Sequence, residues 1–491
     1  MSRTTGTHLT AGRPKRRGVF IALGLTTTLL VASCGSDDDS SSATNLPTTT
    51  PEATTAEATT PAGTTPDATA AESTTPASID PSTFTNGQGV TDTEITIGVV
   101  LDQSGPFSLL APGIKAAFDA KLAVTNDNGG VVGRMLRAEY IDDKSDPTQT
   151  LQAFKRLWEQ DKVYAIYVAN INGPPLDYVK ENNIPVTLLG GPPAVFGSQY
   201  PSVIPTGSLT PAWNAQASYA VVNFLDKRPK VVAVTYLPFE EPMLDWIENS
   251  WKQLGAEEVL FDPFPDPTAP CDTLVLKYKD AGVEYWDMHA TSFLTCIPAQ
   301  LTAGWSPPMG QGGPSTSSLD LASLIGKPMA DLNVIAGSPN ALADGKPTDL
   351  TPTPQHIEYQ EAMAKYSGDW ANSHDLNDFV PQIAYTAAIW FVDGIKGGAE
   401  MTGEISGDSL LEWAHTVKDW DPFLAEPVKS MAPDCKTGND STIWGMWVWD
   451  DATEKLHMEP FAPLPGEPMV NSDFLGYGEC YLTELADKYF S

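Results

Sequence analysis

The chain has 491 residues, enough for two or three ordinary domains, and its 41% hydrophobic content supports a substantial core. Its formal net charge is −33 at pH 7. Such a surface repels nucleic acid and anionic lipid headgroups, so neither is an expected partner, and it says little about fold.

Five of the 29 basic residues and none of the 62 acidic ones fall in the first 33 positions. Arg13, Lys15, Arg16 and Arg17 precede an uncharged stretch from Gly18 to Leu30, followed by Val31-Ala32-Ser33. A basic region, an apolar run and a small-residue cleavage site read as an export signal over residues 1–33. The run is too short for a transmembrane helix, which needs about 20 apolar residues. Leu30-Val31-Ala32-Ser33-Cys34 resembles the bacterial lipobox. That implies a lipid on Cys34 as the first residue of the mature chain; the plainer reading is an ordinary secretory signal with a chance cysteine. Arg16-Arg17 raises a twin-arginine export route, but the residues that follow fit that motif poorly. Cleavage would leave 24 basic against 62 acidic residues, a net charge of −38.

From residue 34 to about 90 the chain is Ser, Thr, Ala and Pro with a few acids, as in Asn45-Leu46-Pro47-Thr48-Thr49-Thr50-Pro51. It has no apolar periodicity and cannot repay its ordering entropy, so a disordered tether is expected, open to O-glycosylation. A coil of about 55 residues reaches roughly 40 Å.

The texture changes at Thr91. Glu94 to Leu101 is strand-like, and Ile114, Ala117, Phe118 and Leu122 follow at helical spacing until Asn128-Gly129-Gly130. A second strand from Leu136 to Ile141 leads to Asp146-Pro147-Thr148-Gln149. This reads as an N-cap, a Pro at the first helical position and a capping-box Gln, before a helix burying Leu151, Phe154, Leu157 and Trp158. Further strands are predicted over 163–169, 184–189, 231–236, 258–261, 283–289 and 332–336, with amphipathic helices between most of them. After Gln355 the chain is mainly helical, with a long segment over 379–395, and Thr442 to Trp449 closes as a β-like run. Strand–helix alternation over about 400 residues predicts α/β architecture with parallel sheets flanked by helices, in two lobes.

In open parallel sheets ligands bind beyond the strand C-termini. The loops after Leu101, Ala169, Leu189, Tyr236 and His289 are thereby nominated. Setting Cys34 aside leaves Cys271, Cys296, Cys435 and Cys480, an even number that suggests two disulfides in an exported protein. The pairs nearest in sequence, Cys271–Cys296 and Cys435–Cys480, are expected. Cys271 and Cys296 both begin helices that follow neighbouring strands. A metal site is the rival, but CxxC spacing is absent and no His sits three to five residues from another ligand.

Thr91–Gly98, Ser104-Gly105-Pro106, the run Asn126 to Arg134, Asp142-Asp143 and Asp161 to Ile166 occur in order and at family spacing. Together they closely resemble the leucine/isoleucine/valine-binding family of solute-binding proteins, with the type I periplasmic-binding fold. The similarity runs from about Val90 to the C-terminus, dense to Ala169 and loose after Cys296. It implies two mainly parallel α/β lobes joined by crossovers, closing on a small molecule in the cleft between them. It also implies an ABC permease as partner, beside which a lipid anchor would hold the receptor at the extracytoplasmic face of the membrane. Lobe I is placed at 91–212 plus about 333–435, and lobe II at about 213–332 plus about 436–491.

Amino-acid-binding members hold the ligand carboxylate on a Ser/Thr-rich turn, here Ala169-Asn170-Ile171-Asn172-Gly173. A second turn aligns with Gly190-Gly191-Pro192-Pro193, with Pro where a hydroxyl would serve. Where an acidic residue would hold the ammonium, this chain has Gln311 or Gly312. A buried ammonium without a partner charge is costly, so Asp102, Glu240 or Glu241 would have to substitute. These departures argue against a standard branched-chain amino acid.

The ligand-binding candidates, each with a rival structural reading, follow from loop position. Ser104 and Phe107 lie in the first loop, where a tight turn capping the next helix is the rival. Asn170 and Asn172 follow a buried strand and also suit turns. Tyr236, Phe239 and Glu240 end a lobe II strand, where the aromatics could be core and Glu240 a helix N-terminal charge. His289 and Thr291 end another strand, and a lone His is more often structural. Trp213 sits near the expected crossover, as hinge packing or cleft wall.

Gly407-Asp408-Ser409-Leu410 spells a hydrolase motif, but no Asp-x-x-His follows and the segment reads as a helix start with Ser409 and Glu412 as a capping box. Asp142 to Asp146 lacks the Gly and terminal Glu of a calcium loop. GxSxG, HExxH and P-loop motifs are absent. Trp444, Trp447 and Trp449 suggest a sugar platform, with core packing preferred. The expectation is therefore a lipid-anchored solute-binding protein, monomeric and without enzyme activity, metal or cofactor. It would capture a small polar molecule (amino-acid-like, amide or small organic acid) for an ABC importer. A ligand sensor of the same fold signalling to a membrane partner is the alternative, and a surface hydrolase is more distant.

Overall fold

The computed structural model describes residues 81–206, 218–223, 228–263, 270–288, 293–310, 318–338, 354–376, 378–422, 427–438, 443–462 and 476–491. The export signal, Cys34, Trp213, His289 and Thr291 lie outside the described residues, as does the expected tether up to residue 80.

Order begins earlier than the texture of the sequence suggests. Strand β1 (Thr85–Asn86) pairs with residues 404 and 405 far along the chain. Gln88 donates to the Val163 carbonyl at 3.1 Å. Buried Arg134 binds the Thr91 carbonyl at 2.9 Å and the Asn86 side-chain oxygen at 2.7 Å. Residues 81–90, expected to belong to the tether, are therefore part of the folded structure, because residues with no apolar periodicity are pinned here by long-range polar contacts.

The first sheet contains β2 (Glu94–Leu101), β3 (Met135–Asp142), β4 (Ile166–Ala169), β5 (Val186–Leu188) and β6 (Val203–Pro205), all parallel in the order β3-β2-β4-β5-β6. Its central strand β4 is buried throughout, as expected for parallel strands covered on both faces. The crossovers are α1 (Ala111–Asp127), α2 (Pro147–Lys155) and α3 (Leu176–Asn182). The predicted face of α1, Ile114, Ala117, Phe118 and Leu122, is buried. Asp146 caps α2 by accepting the Gln149 N–H at 2.9 Å. After α1 the chain turns through Gly130 at φ +77°, where a Cβ would lie 2.0 Å from the Arg134 carbonyl oxygen. Only glycine fits there.

The second sheet begins with β7 (Val231–Tyr236), β8 (Glu258–Pro263), β9 (Tyr285–Met288), β10 (Met309–Gly310) and β11 (Val334–Ser338). Between them run α4 (Leu244–Gln253), α5 (Asp272–Asp280), α6 (Phe293–Ala303) and α7 (Leu319–Ile325). The return to the first lobe is helical: α8 (Pro354–Tyr366), α9 (Asp369–Ser373) and α10 (Phe379–Thr402), which pack against α1. Strand β12 (Glu404–Ile405) pairs with β1, and α11 (Gly407–Thr416) leads to a small antiparallel sheet of β13 (Lys418–Trp420), β14 (Val428–Ala432) and β15 (Cys435–Lys436). The chain then re-enters the second sheet as β16 (Ile443–Asp450) and β17 (Lys455–Ala462), which run antiparallel. The full order is β17-β16-β11-β10-β9-β7-β8. Strand β11 belongs to this sheet, so the crossover expected at about 333 comes after Ser338 instead. The last helix, α12 (Tyr481–Phe490), packs on the Pro193–Phe196 turn of the first lobe, although 436–491 was assigned to lobe II. Among the described residues no helix is long and apolar enough to cross a membrane.

Both expected disulfides are present, Cys271–Cys296 and Cys435–Cys480. The first joins the start of α5 to α6, whose preceding strands β8 and β9 flank β7 rather than each other. Each bond closes a loop of 25 or 45 residues and contributes about 3–4 kcal/mol in the chain-entropy account.

Next to Cys435, Lys436 has no exposed surface. Its Nζ donates to the carbonyls of Val195, Gly197 and Tyr200 at 3.1, 3.0 and 2.6 Å, matching three acceptors to three ammonium hydrogens. Burial pulls its pKa down to about 7, and the nearby Asp487 carboxylate pulls the other way. Lys436→Met would take this donor from the Val195 carbonyl, while the Gly197 and Tyr200 carbonyls keep the N–H groups of Tyr200 and Val203. The expected loss is about 1–3 kcal/mol, read from the urea unfolding midpoint.

Candidate functional site

In each sheet the loops that follow the parallel strands leave from one edge. At the first sheet that edge is laced together by carboxylates. Asp102, just past β2, accepts the N–H groups of Gly105 and Phe107 at 2.5 and 2.9 Å and the Ser145 hydroxyl at 2.7 Å. Asp142, at the end of β3, accepts the Gln103 N–H at 2.9 Å and the Ser104 hydroxyl at 2.6 Å. Asp143 accepts the Thr150 hydroxyl at 2.6 Å and the Asn170 amide at 2.5 Å. The Asn170 oxygen in turn accepts the Gly173 N–H at 2.7 Å, and Asn172 donates to the Ser145 carbonyl. Three loops from three strands are thus one network.

Its knot is a pair of left-handed residues, Lys144 at φ 56° and Ser145 at φ 51°. Such non-glycine residues persist where surrounding bonds over-determine them. Here the Lys144 N–H is held by Asp142 at 3.1 Å and the Ser145 N–H by Asp143 at 3.2 Å. Ser145 is a residue that sequence reasoning missed. Its only signal is a hydroxyl just after two strand-end aspartates. Burial alone would raise the Asp142 pKa, but the Ser104 and backbone hydrogen bonds outweigh it and hold the carboxyl below its usual range. Asp143 is driven the other way, chiefly by burial.

The structure therefore brings Ser104, Asn170 and Asn172 together. Phe107 is instead buried in the core, and its N–H helps fold the first loop around Asp102. Gly105 permits that fold, since a Cβ would lie 2.3 Å from the Lys144 carbonyl oxygen. At the second sheet, Tyr236 ends β7 half-buried, edge-on to Phe261 at 6.4 Å. Phe239, also half-buried, lies in the turn Pro238–Met243. Glu240 is 1% exposed, and its carboxylate accepts the Leu237 N–H at 2.7 Å as a cap for that turn. Asp102 and Glu240, two of the three possible ammonium partners, are thus engaged in shaping their own loops. Glu241 is exposed. Gln311 and Gly312 lie outside the described residues.

The lobes also touch through a shared helix cap. Asp378 accepts the Val380 N–H at 2.9 Å at the start of α10, and the Ser318 hydroxyl and Asp320 N–H at 2.8 and 3.0 Å at the start of α7. Beside it a cavity of about 640 Å³ is lined by Asp320, His374, Trp449 and Lys455 among others. Because β16 runs antiparallel, its Trp449 end points away from the loop edge of this sheet. Trp444 and Trp447 are buried as expected, whereas Trp449 stays partly exposed.

Two α/β lobes, each carrying short loops on its strand-end edge and joined by more than one crossover, define a two-lobed binding-protein architecture. Residues 94–444 match the family described as periplasmic binding protein, and the chain belongs to it. It is 24% identical over 195 residues to Leu/Ile/Val-binding protein homolog 3 of Brucella melitensis biotype 1, covering 39% of this chain and 53% of that protein. The chain thus spans about half the length of the curated relatives it matches. In structure it is similar to a fatty acid ABC transporter substrate-binding protein from Thermomonospora curvata (TM-score 0.64, 16% identity, 81% of this chain and 97% of that one). It is also similar to a branched-chain amino acid ABC transporter protein from Thermus thermophilus with bound valine (TM-score 0.63, 14% identity, 78% and 99%). At these identities the likeness is one of fold.

Asp320 offers a test of the interlobe contact. Burial first and the Asp378 carboxylate second raise its pKa, against the opposing pull of His374 3.9 Å away, to about 6. A raised carboxyl adds stability that is fully present below its unfolded value near 3.8 and lost as pH rises through about 6. Asp320→Asn should therefore gain about 1–2 kcal/mol over the parent at pH 7.5 and nothing at pH 4, measured by urea unfolding at both.

Proposed function

We propose that the protein is an extracytoplasmic solute-binding receptor, anchored by a lipid on Cys34, that closes its lobes on a small polar molecule and presents it to an ABC permease. The observation that carries this reading is the laced loop edge of the first sheet. It is a rigid polar platform on one of two lobes in a chain of the periplasmic binding protein family. Hinge closure then brings the Tyr236 and Phe239 side of the second lobe onto a ligand held at that platform.

The ligand is an amide or small organic acid in preference to an α-amino acid. Asp102 and Glu240 are engaged by their own loops, which removes two candidate partners for an ammonium. Half-buried Tyr236 and Phe239 supply apolar walls. Ser104, Asn172, His289 and Thr291 supply hydrogen bonding, while Asn170 and Phe107 act by shaping the platform. The fatty acid named for one structural neighbour suits the same combination of an apolar wall and a polar edge.

Thermal-shift titration of the Cys34→Ser chain with amides, urea, small aliphatic and aromatic acids, amino acids and sugars tests this. One class should raise the melting temperature with dose, and saturation at 100 times Kd corresponds to about 2.7 kcal/mol. Tyr236→Ala and Asn172→Ala should each weaken that binding about tenfold or more. Silence across all classes overturns the receptor reading. The anchor is tested in cells: Cys34→Ser should release the protein into the medium, and its retention at the membrane would overturn lipidation.

A further inference from the structure

The C-terminal helix α12 touches both lobes at the edges where their binding loops emerge. On the first lobe it packs against Pro193–Phe196, the turn that follows β5; on the second it meets Pro238–Met243, the turn that follows β7. The attachments differ in kind. To the first lobe the segment is fixed by the Cys480 disulfide to Cys435 and by Thr483 accepting the Lys436 N–H at 2.8 Å. Asp487 accepts the Ser198 N–H at 2.7 Å, and the Phe490 carbonyl accepts from Gln199 at 2.9 Å. Buried Lys436, bound to three carbonyls of residues 195 to 200, secures the same corner.

To the second lobe the segment is joined by the chain that leads from β17 and by the side chains of two tyrosines, both against helix α4. The Tyr489 hydroxyl donates to Asp245 at 3.0 Å. The Tyr477 hydroxyl lies 3.3 Å from that of Ser250, and its ring lies 5.9 Å from Trp246. Partly exposed side-chain contacts of this kind break far more easily than a disulfide backed by the buried hydrogen bonds of Lys436.

We infer that the C-terminal segment is a latch: covalently seated on lobe I, it holds lobe II through Tyr477 and Tyr489 and so restrains opening of the cleft. It goes beyond the proposed function in assigning a part that governs ligand exchange, and that consequence rests on the cleft being the binding site. The restraint itself does not. Lobe opening must carry α4 away from α12 or drag α12 off a corner to which it is bonded, so the tyrosine contacts are the ones that yield.

The test measures interlobe distance without a ligand, by pulsed electron resonance between spin labels at Glu181→Cys and Glu257→Cys in the Cys34→Ser chain. Both labelled positions are exposed, one on each lobe. The latched parent should show one short distance, with any longer component at about a tenth or less. Tyr477→Ala with Tyr489→Ala should make a longer distance the major population, while circular dichroism stays unchanged. Cys435→Ala with Cys480→Ala should do the same; if that variant fails to fold, the tyrosine pair decides alone. An unchanged distribution in the folded tyrosine variant overturns the latch. A shifted distribution in a chain that binds none of the screened molecules keeps the latch and removes the receptor reading, so the two failures are distinct.

Discussion

Both sheets are covered on two faces, and this burial dictates where the molecule does anything. A parallel strand such as β4, with no exposed residue, has no free surface on which to place a polar side chain. The backbone must nevertheless leave the sheet, and it leaves at the strand ends, where water and a partner lobe are both within reach. At the first sheet polarity is therefore concentrated where three strands end: Asp102 after β2, Asp142 and Asp143 at the end of β3, Asn170 after β4. The cores of α1, α10 and the sheets serve to hold these positions still.

That concentration has a cost, and the way it is met shapes the chemistry. Carboxylates drawn toward a dry interior need donors, and the nearest ones are the N–H and hydroxyl groups of neighbouring loops. Asp102, Asp142 and Asp143 each gather two or more donors and so become staples. Glu240 does the same for its turn. An acidic group used in this way gives a rigid edge and has fewer lone pairs and less freedom left to reach a ligand. The strong overall negative charge of the chain is thus a poor guide to its ligand, because the acids nearest the loop edge are already engaged.

Much of this architecture was legible in the residues. Apolar runs and helical spacing located the strands and helices, and Asp146-Pro147 and Gly130 marked turns whose chemistry is local. The disulfide pairs followed from sequence proximity alone. What was not legible depends on contacts distant along the chain. Residues 81–90 look like tether because Arg134 and β12, which order them, lie far away. Strand β11 reads as a strand, but nothing in Val334–Ser338 says which sheet it joins. Glu240 looked like a ligand partner because a strand-end acid has the same spelling whether it faces a cleft or caps its own turn. Ser145 escaped notice for the converse reason: a small hydroxyl in an acidic run is unremarkable until three loops converge on it.

The end of the chain follows the same logic. A two-lobed protein held by crossovers has hinges but no inherent stop. A stop requires a contact that spans the cleft edges and is stronger on one side than the other, so that it releases in a defined place. The Cys435–Cys480 bond and buried Lys436 provide the strong side; Tyr477 and Tyr489 provide the weak one. If both sides were equally firm the lobes would be locked, and if both were weak the helix would add nothing to the crossovers. The asymmetry is what lets a terminal helix set how far a cleft opens without entering it.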